Sequence, residues 1–280
     1  MPGLRARWAA TALALPTAIA LLAAPPGAAD EATDALFDAL GVDRVVPVVS
    51  DEGVGYGTDL EVMMFPGRGG EEWRATVERI HDPARLEERL RAVFAETIAP
   101  DAVAPLTAFF TTEAGRDIVD REIEARIALS GDGMEETALE AWRGMQAAED
   151  PRVALIDDFV AENDLVEANV AGAMNSNLAF WRGLADGGAD PDLTEGEMLS
   201  RVWEQEGEIR ADTLDWITAY AALAYGGLPE ETLQDYVDLS RTPEGSSMNG
   251  ALFAAFDRVF EEVSRDLGRA AARIVSSEDI

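Results

Sequence analysis

The sequence predicts an all-α protein: a helical bundle or array built from two weakly similar helical repeats. Strand-type alternation is nearly absent, while apolar residues recur at threes and fours along most of the chain. The corner "FFTTEAGRDIV" at 109–119 returns as "LSRTPEGSSMN" at 239–249, with Thr112 opposite Thr242 and Gly115 opposite Gly245 at a constant offset of 130. Behind the corners Phe109 answers to Leu239, Leu106 to Tyr236 and Val103 to Leu233. The chain also has no Cys. It must be held by core packing alone, which roughly 250 residues permit.

Taken in order, residues 1–29 read as a signal peptide. Arg5 and Arg7 precede an uncharged stretch of 17 residues, Trp8 to Ala24, and the small residues Gly27 and Ala29 mark a cleavage site. No Cys follows the apolar run, which excludes a lipoprotein, so the expected location is the periplasm or the medium. The first repeat is expected over 30–132, a connecting helix over 133–149 and the second repeat over 150–280. Spacing predicts helices at 31–40, 42–63, 70–81, 83–98, 101–111, 152–163, 165–185, 195–226 and 229–241. Upstream of the corners, "ALFDALGVDRVV" (35–46) resembles "ALIDDFVAENDLV" (154–166) at an offset near 119. The last helix carries one apolar stripe through Phe253, Phe256, Val259, Val263, Leu267 and Ile274. Thr242 is a good N-cap, Pro243 suits the first helical position, and Glu244 suits the positive helix end. Glycine weakens a helix by about 1 kcal/mol, so Gly245 implies a close approach at the corner. Gly183 reads as part of an ordinary helix end. The longest uncharged runs after the leader, Ala168–Trp181 and Trp216–Pro229, have 14 residues each. A bilayer needs about 20, so no transmembrane segment is expected in the mature chain.

The corner "FFTTEAGR" resembles the signature of exported bacterial helical proteins catalogued as domain of unknown function 2059. The likeness covers both corners and, loosely, most of 30–275 as two tandem copies. In the second copy, Leu239-Ser240 replaces the aromatic pair. The resemblance implies an all-α exported protein with no established activity, and supplies no catalytic residues.

Composition excludes much chemistry. Acidic residues number 54 and basic ones 22, all of them Arg, giving −32; loss of Arg5 and Arg7 with the leader makes this −34. Such a chain repels phosphate backbones and anionic lipid, so nucleic-acid binding is not expected. Without Cys or Lys there is no thiol catalysis, Schiff base, Ser–Lys dyad or phosphate-loop lysine. His81 is the one histidine, and a metal site built on two histidines would need a second chain. It closes a Glu-x-x-His with Glu78, read as exposed helix-end residues because a di-iron bundle needs two such motifs. The loop 186–197 spaces Asp186, Asp190, Asp192, Thr194 and Glu197 like a calcium loop. However, Pro191 stands where the sharp turn requires Gly, so a polar loop ending in a capping box at Thr194 and Glu197 is expected. No catalytic residue, cofactor or metal ligand is assigned.

The functional expectation is therefore a non-catalytic binding or interaction protein, with another envelope protein as the expected kind of partner. Its surface candidate lies in "VAGAMNSNLAFWRGL" (170–184), where Met174, Asn175, Asn177 and Trp181 combine an apolar stripe with amides unusual inside a helix. Two alternatives stand beside it. One is a carboxylate-dependent cell-wall glycan hydrolase using Glu204 and Glu208, four residues apart on one helix face. The other is a carrier of a small apolar ligand. The sequence does not choose an oligomeric state.

A charge of −34 on about 250 residues should make salt stabilising. The Debye length falls from about 30 Å at 0.01 M to about 10 Å at 0.1 M, so the melting temperature should rise between those conditions. A flat or falling Tm would show that local pairs already balance the acids.

Overall fold

The computed structural model describes residues 26–131, 133–189 and 193–276, and among them the fold is all helix with no strand. Residues 1–25 of the expected leader, and Asp190, Pro191 and Asp192 of the polar loop, lie outside the described residues.

The helices are α1 (Pro26–Ala39), α2 (Val42–Met64), α3 (Gly70–Ile80), α4 (Pro83–Thr97), α5 (Pro100–Phe110) and α6 (Glu113–Leu129). Then follow α7 (Met134–Ala147), α8 (Arg152–Glu162), α9 (Leu165–Asp186), α10 (Glu195–Trp203), α11 (Glu206–Tyr225), α12 (Glu230–Ser240) and α13 (Pro243–Ser276). Most ends fall within two residues of the sequence expectation, because the caps are written locally. Asp82 accepts from the Arg85 amide, Thr112 from the Gly115 amide, and Thr194 with Glu197 closes a capping box.

One expected helix is two. The stretch 195–226 breaks at Glu204 and Gln205, where Gln205 adopts φ −96° and ψ −8°. No Pro forces the break. Met198 and Val202 bury the inner face of α10, which packs on α9, whereas α11 packs on α6, α7 and α9. A single straight helix could not serve both directions, so packing overrides propensity.

The two corners share one side-chain hydrogen bond. The Thr112 hydroxyl donates to the Phe109 carbonyl at 2.7 Å, and the Thr242 hydroxyl to the Leu239 carbonyl at 3.1 Å. At the first corner Gly115, which answers to Gly245, has a close contact: a Cβ there would lie 2.3 Å from the Phe109 oxygen. Packing partners also correspond, since α1 lies on α5 as α8 lies on α12, and α4 lies on α13 as α11 lies on α6. By helix ends, the turn after Ala39 matches the turn after Glu162 at an offset of 123, one helical turn beyond the 119 that residue identity suggests. One continuous apolar core runs from Leu36 to Ala272 and joins the regions on both sides of α7.

A second close approach of backbones lies between α9 and α13, where Gly183 and Gly268 face each other. A Cβ on Gly183 would stand 2.2 Å from the Arg265 carbonyl oxygen, and one on Gly268 would stand 2.2 Å from that of Phe180. The expectation that Gly183 belongs to an ordinary helix end is thus corrected: it sits where two backbones touch. The sequence hid this because the obstacle is backbone contributed by another helix, at Arg265.

Gly183→Ala should destabilise the protein by about 3 kcal/mol, the upper part of the usual overpacking range, because backbone cannot step aside as a side chain can. Gly250→Ala, whose Cβ would meet nothing within 4 Å on the same α13, should instead stabilise by roughly 0.5–1 kcal/mol through helix propensity. Denaturant midpoints of the two variants shifting alike would refute the close crossing.

Candidate functional site

Two features stand out once side chains are placed: a buried polar cluster around Glu122, and an apolar face on α10.

Glu122 lies on the core stripe of α6, one turn after Ile118, and is 3% exposed. The Tyr225 hydroxyl of α11 and the Tyr236 hydroxyl of α12 both donate to its Oε1, at 2.6 and 2.9 Å. Its Oε2 is buried and has no hydrogen-bond partner among the described residues. The surroundings are aromatic. Phe159 stacks on Tyr236 with ring centroids 4.8 Å apart and meets Tyr225 edge-on at 5.0 Å, and Phe109 and Phe110 close the far side of Tyr236. Burial pushes the Glu122 carboxyl up to about 8, against a smaller opposing pull from the two phenols. Burial also raises the Tyr220, Tyr225 and Tyr236 hydroxyls well above their ordinary range. One turn along α6, Arg126 is buried, pairs with Glu52 of α2, and lies 5.1 Å from the ring centre of Trp216, which stacks on Tyr220.

Sequence reasoning passed over Glu122, although a signal was present. Apolar residues stand three and four places before it, and at the offset of 130 its counterpart is Leu252, itself buried. A carboxylate on that stripe was the anomaly to read.

The α10 face comes from the break at residues 204–205. Leu199 and Trp203, one turn apart, are 40% and 65% exposed. Glu204 and Glu208 beside them are exposed and have no cationic partner among the described residues. The break also separates these two carboxylates. Glu204 follows the end of α10 and Glu208 lies in the first turn of α11, so they do not share one helix face as the hydrolase alternative supposed.

The other sequence candidates fall as follows. Met174 is half-buried against the small cluster of Val170, Ala173 and Ile209; Asn175 is exposed and Asn177 half-buried. Trp181 is half-buried, with the Arg201 guanidinium of α10 4.6 Å from its ring centre. These four do not converge on one open pocket, but Trp181 borders α10. His81 is not an exposed helix-end residue: it is 1% exposed. Its ring lies where a Gly53 side chain would be, its Nδ1 is 2.9 Å from the Val77 carbonyl, and burial lowers its pKa. Glu78 remains exposed, so the Glu-x-x-His pair does not assemble. The acids at the ends of the polar loop have structural partners, Asp186 with Arg265 and Arg269 of α13, and Glu197 with Thr194. No group of three or more metal-binding side chains occurs among the described residues, and no described helix is long and apolar enough to cross a membrane.

No family model, curated protein or solved structure matches the chain.

Glu122 makes a pH prediction. Its folded pKa, about 8, exceeds its ordinary 4.5. Below pH 4.5 the group is neutral in both states. Between 4.5 and 8 only the folded state keeps the proton, so stability falls as pH rises, by up to about 1.4 kcal/mol per unit, and above 8 the dependence ends. Relief of repulsion in the acidic coat acts in the same direction, so the comparison is with Glu122→Gln. The wild-type stability profile should be steeper than the variant's within that window and parallel to it above. Parallel profiles throughout would mean that Glu122 is ionised in the native state.

Proposed function

We propose that the protein is an exported, non-catalytic interaction module made of two tandem helical copies resembling domain of unknown function 2059. In this reading residues 1–29 direct export, and α10 with the neighbouring edge of α9 docks a basic, apolar-anchored segment of another envelope protein. The observation that carries the reading is Trp203. A large aromatic ring left mostly in water is uncommon, and buried Trp anchors commonly contribute 2 kcal/mol or more to a complex.

Charge names the occupant. The face is rimmed by unpaired Glu204 and Glu208 on a chain of −32, so a basic partner gains Coulomb attraction on approach and a neutral or acidic one does not. A second copy of this chain would bring the same acids against themselves. Leu199 and Trp203, at i and i+4, offer the spacing that a partner helix or strand can straddle. Trp181, braced under Arg201, extends the face toward the α9 stripe. The repeat reading is supported by the shared corners and the matching order of packing partners, and the absence of Cys, Lys and a second His leaves few catalytic routes.

A helical Leu/Lys peptide and its Leu/Glu counterpart provide the probes. The Leu/Lys peptide should bind the full mature chain, weaken with salt, and lose about 30-fold in affinity with Trp203→Ala, the equivalent of about 2 kcal/mol. Circular dichroism should report an intact fold, since Trp203 contributes little to the core. Equal affinity for Trp203→Ala, or equal binding of the Leu/Glu peptide, would overturn the basic-partner reading. Self-association abolished by Trp203→Ala would replace it with a homodimer. Digestion of purified cell wall that Glu204→Gln or Glu208→Gln removes would replace it with the hydrolase.

A further inference from the structure

Glu122 occupies a seam. Its carboxyl belongs to α6, and the hydroxyls it holds belong to α11 and α12, on the far side of the connecting helix α7. From α6 itself comes Arg126, one turn on, and beyond it Arg121, which pairs with Asp117 and reaches the turn at Gly227. From α11 come Tyr220 and Tyr225, and from α12 Tyr236. α2 contributes Glu52, on Arg126. α5 and α8 contribute the rings of Phe109, Phe110 and Phe159.

We propose that Glu122 is a proton-operated latch across this seam: as the neutral acid it stays dry beneath both phenolic hydroxyls with α11 and α12 held against α6, and as the carboxylate, although each phenol binds it more strongly, it draws water in at the unpaired Oε2 and loosens the seam. The asymmetry of the carboxyl is what makes it a latch. Two donors converge on Oε1 while Oε2 has none. The neutral acid leaves one hydroxyl unsatisfied, a modest penalty. The anion leaves half its charge without a donor among aromatic rings, which is far more costly. Charge there can be relieved by admitting water, and the polar groups leading outward are Tyr220, Arg126 and the half-buried Trp216. Each phenol on the latch sits on a different helix, so water entering at Oε2 parts α6 from both. α4, α9 and α13 carry none of these side chains, although α11 also lies on α9, and α5 and α12 on α13. Opening is therefore local, in the manner of a cooperative sub-unit of the structure. This device is independent of the α10 face.

Hydrogen exchange with mass spectrometry on the full mature chain tests it, about two pH units below and above the Glu122 transition and corrected for intrinsic rates. Protection of α11 and α12 amides should drop about tenfold or more on the alkaline side, while α4 and the centre of α13 keep theirs. Glu122→Gln should keep protection at both pH values. The infrared difference spectrum of the wild type should lose a protonated-carboxyl stretch that this variant lacks. If Gln does not fold, Glu122→Leu is the second variant, made together with Tyr225→Phe and Tyr236→Phe so that no buried hydroxyl loses its acceptor; it should also be pH-insensitive. Unchanged α11–α12 protection in the wild type would overturn the latch, as would an equal loss in Glu122→Gln or in that triple variant. Loss of protection spread evenly over all helices would show global unfolding and would equally overturn it.

Discussion

The backbone contact between α9 and α13 at Gly183 and Gly268 is the constraint on which the rest of the arrangement depends. Helices ordinarily stand about 8–10 Å apart because side chains fill the space between them. Here neither helix has a side chain at the crossing, and each backbone lies within reach of the other's carbonyls. α13 is long, 34 residues and so about 50 Å. Pinned to α9 near its C-terminal end, it still reaches α3, α4 and α5 in the preceding part of the chain. The same crossing orders the surface: Asp186, at the end of α9, falls beside Arg265 and Arg269 of α13 and takes both. α9 in turn carries α10 and α11. Displacing this crossing would shift both the Tyr225 side of the seam and the helix that bears Trp203.

Electrostatics is organised around arginine. Several arginines bridge different helices: Arg91 reaches Asp34 and Asp38, Arg241 reaches Asp158 and Glu162, and Arg258 reaches Glu96. The planar fork suits such multiple pairing better than an ammonium does. Each exposed pair contributes little, about 0–1 kcal/mol, so these bridges set register more than they add stability. With acids outnumbering basic residues 54 to 22, most carboxylates have no cation to meet. The coat therefore keeps a long-range negative field, the background against which the exposed Leu199 and Trp203 side chains of α10 are distinguished.

Much of the fold was legible because it is written locally. Caps such as Asp82, Thr112 and Thr194 and apolar stripes such as that of α13 fixed helices to within a turn. What stayed hidden was written at a distance. The break at Glu204 and Gln205 has no breaker residue, because it follows from α10 and α11 packing in different directions. His81 looked like a helix-end residue and is buried, because Gly53, on another helix, vacates the space its ring fills. Gly183 looked incidental until Gly268 was placed opposite. The Met174–Trp181 stripe was identifiable as an apolar surface, yet which part of it stays open depends on Arg201 of α10. Glu122 lies between these cases. Its position on the apolar stripe was readable, but its partners come from helices more than a hundred residues away.

The two notable features are opposite exceptions to one rule. The rule puts apolar groups inside and charged groups outside. Trp203 breaks it outward and Glu122 breaks it inward, and each exception arises at a junction that one helix cannot satisfy alone. Trp203 is exposed because α10 must stop so that α11 can turn toward α6 and α7. Glu122 is enclosed because α11 and α12, so turned, close over the stripe of α6. The turn of the chain at residues 204–205 thus stands behind both. It leaves an aromatic ring without a partner at the surface, and it brings the phenols of Tyr225 and Tyr236 over a carboxyl that water would otherwise hold. A polar residue at 203 would remove the first exception, but a leucine at 122 alone would not remove the second, because it would leave the buried Tyr225 and Tyr236 hydroxyls without an acceptor. The carboxyl and its two phenols stand or fall together, with Oε2 as the one unsatisfied atom of the carboxyl.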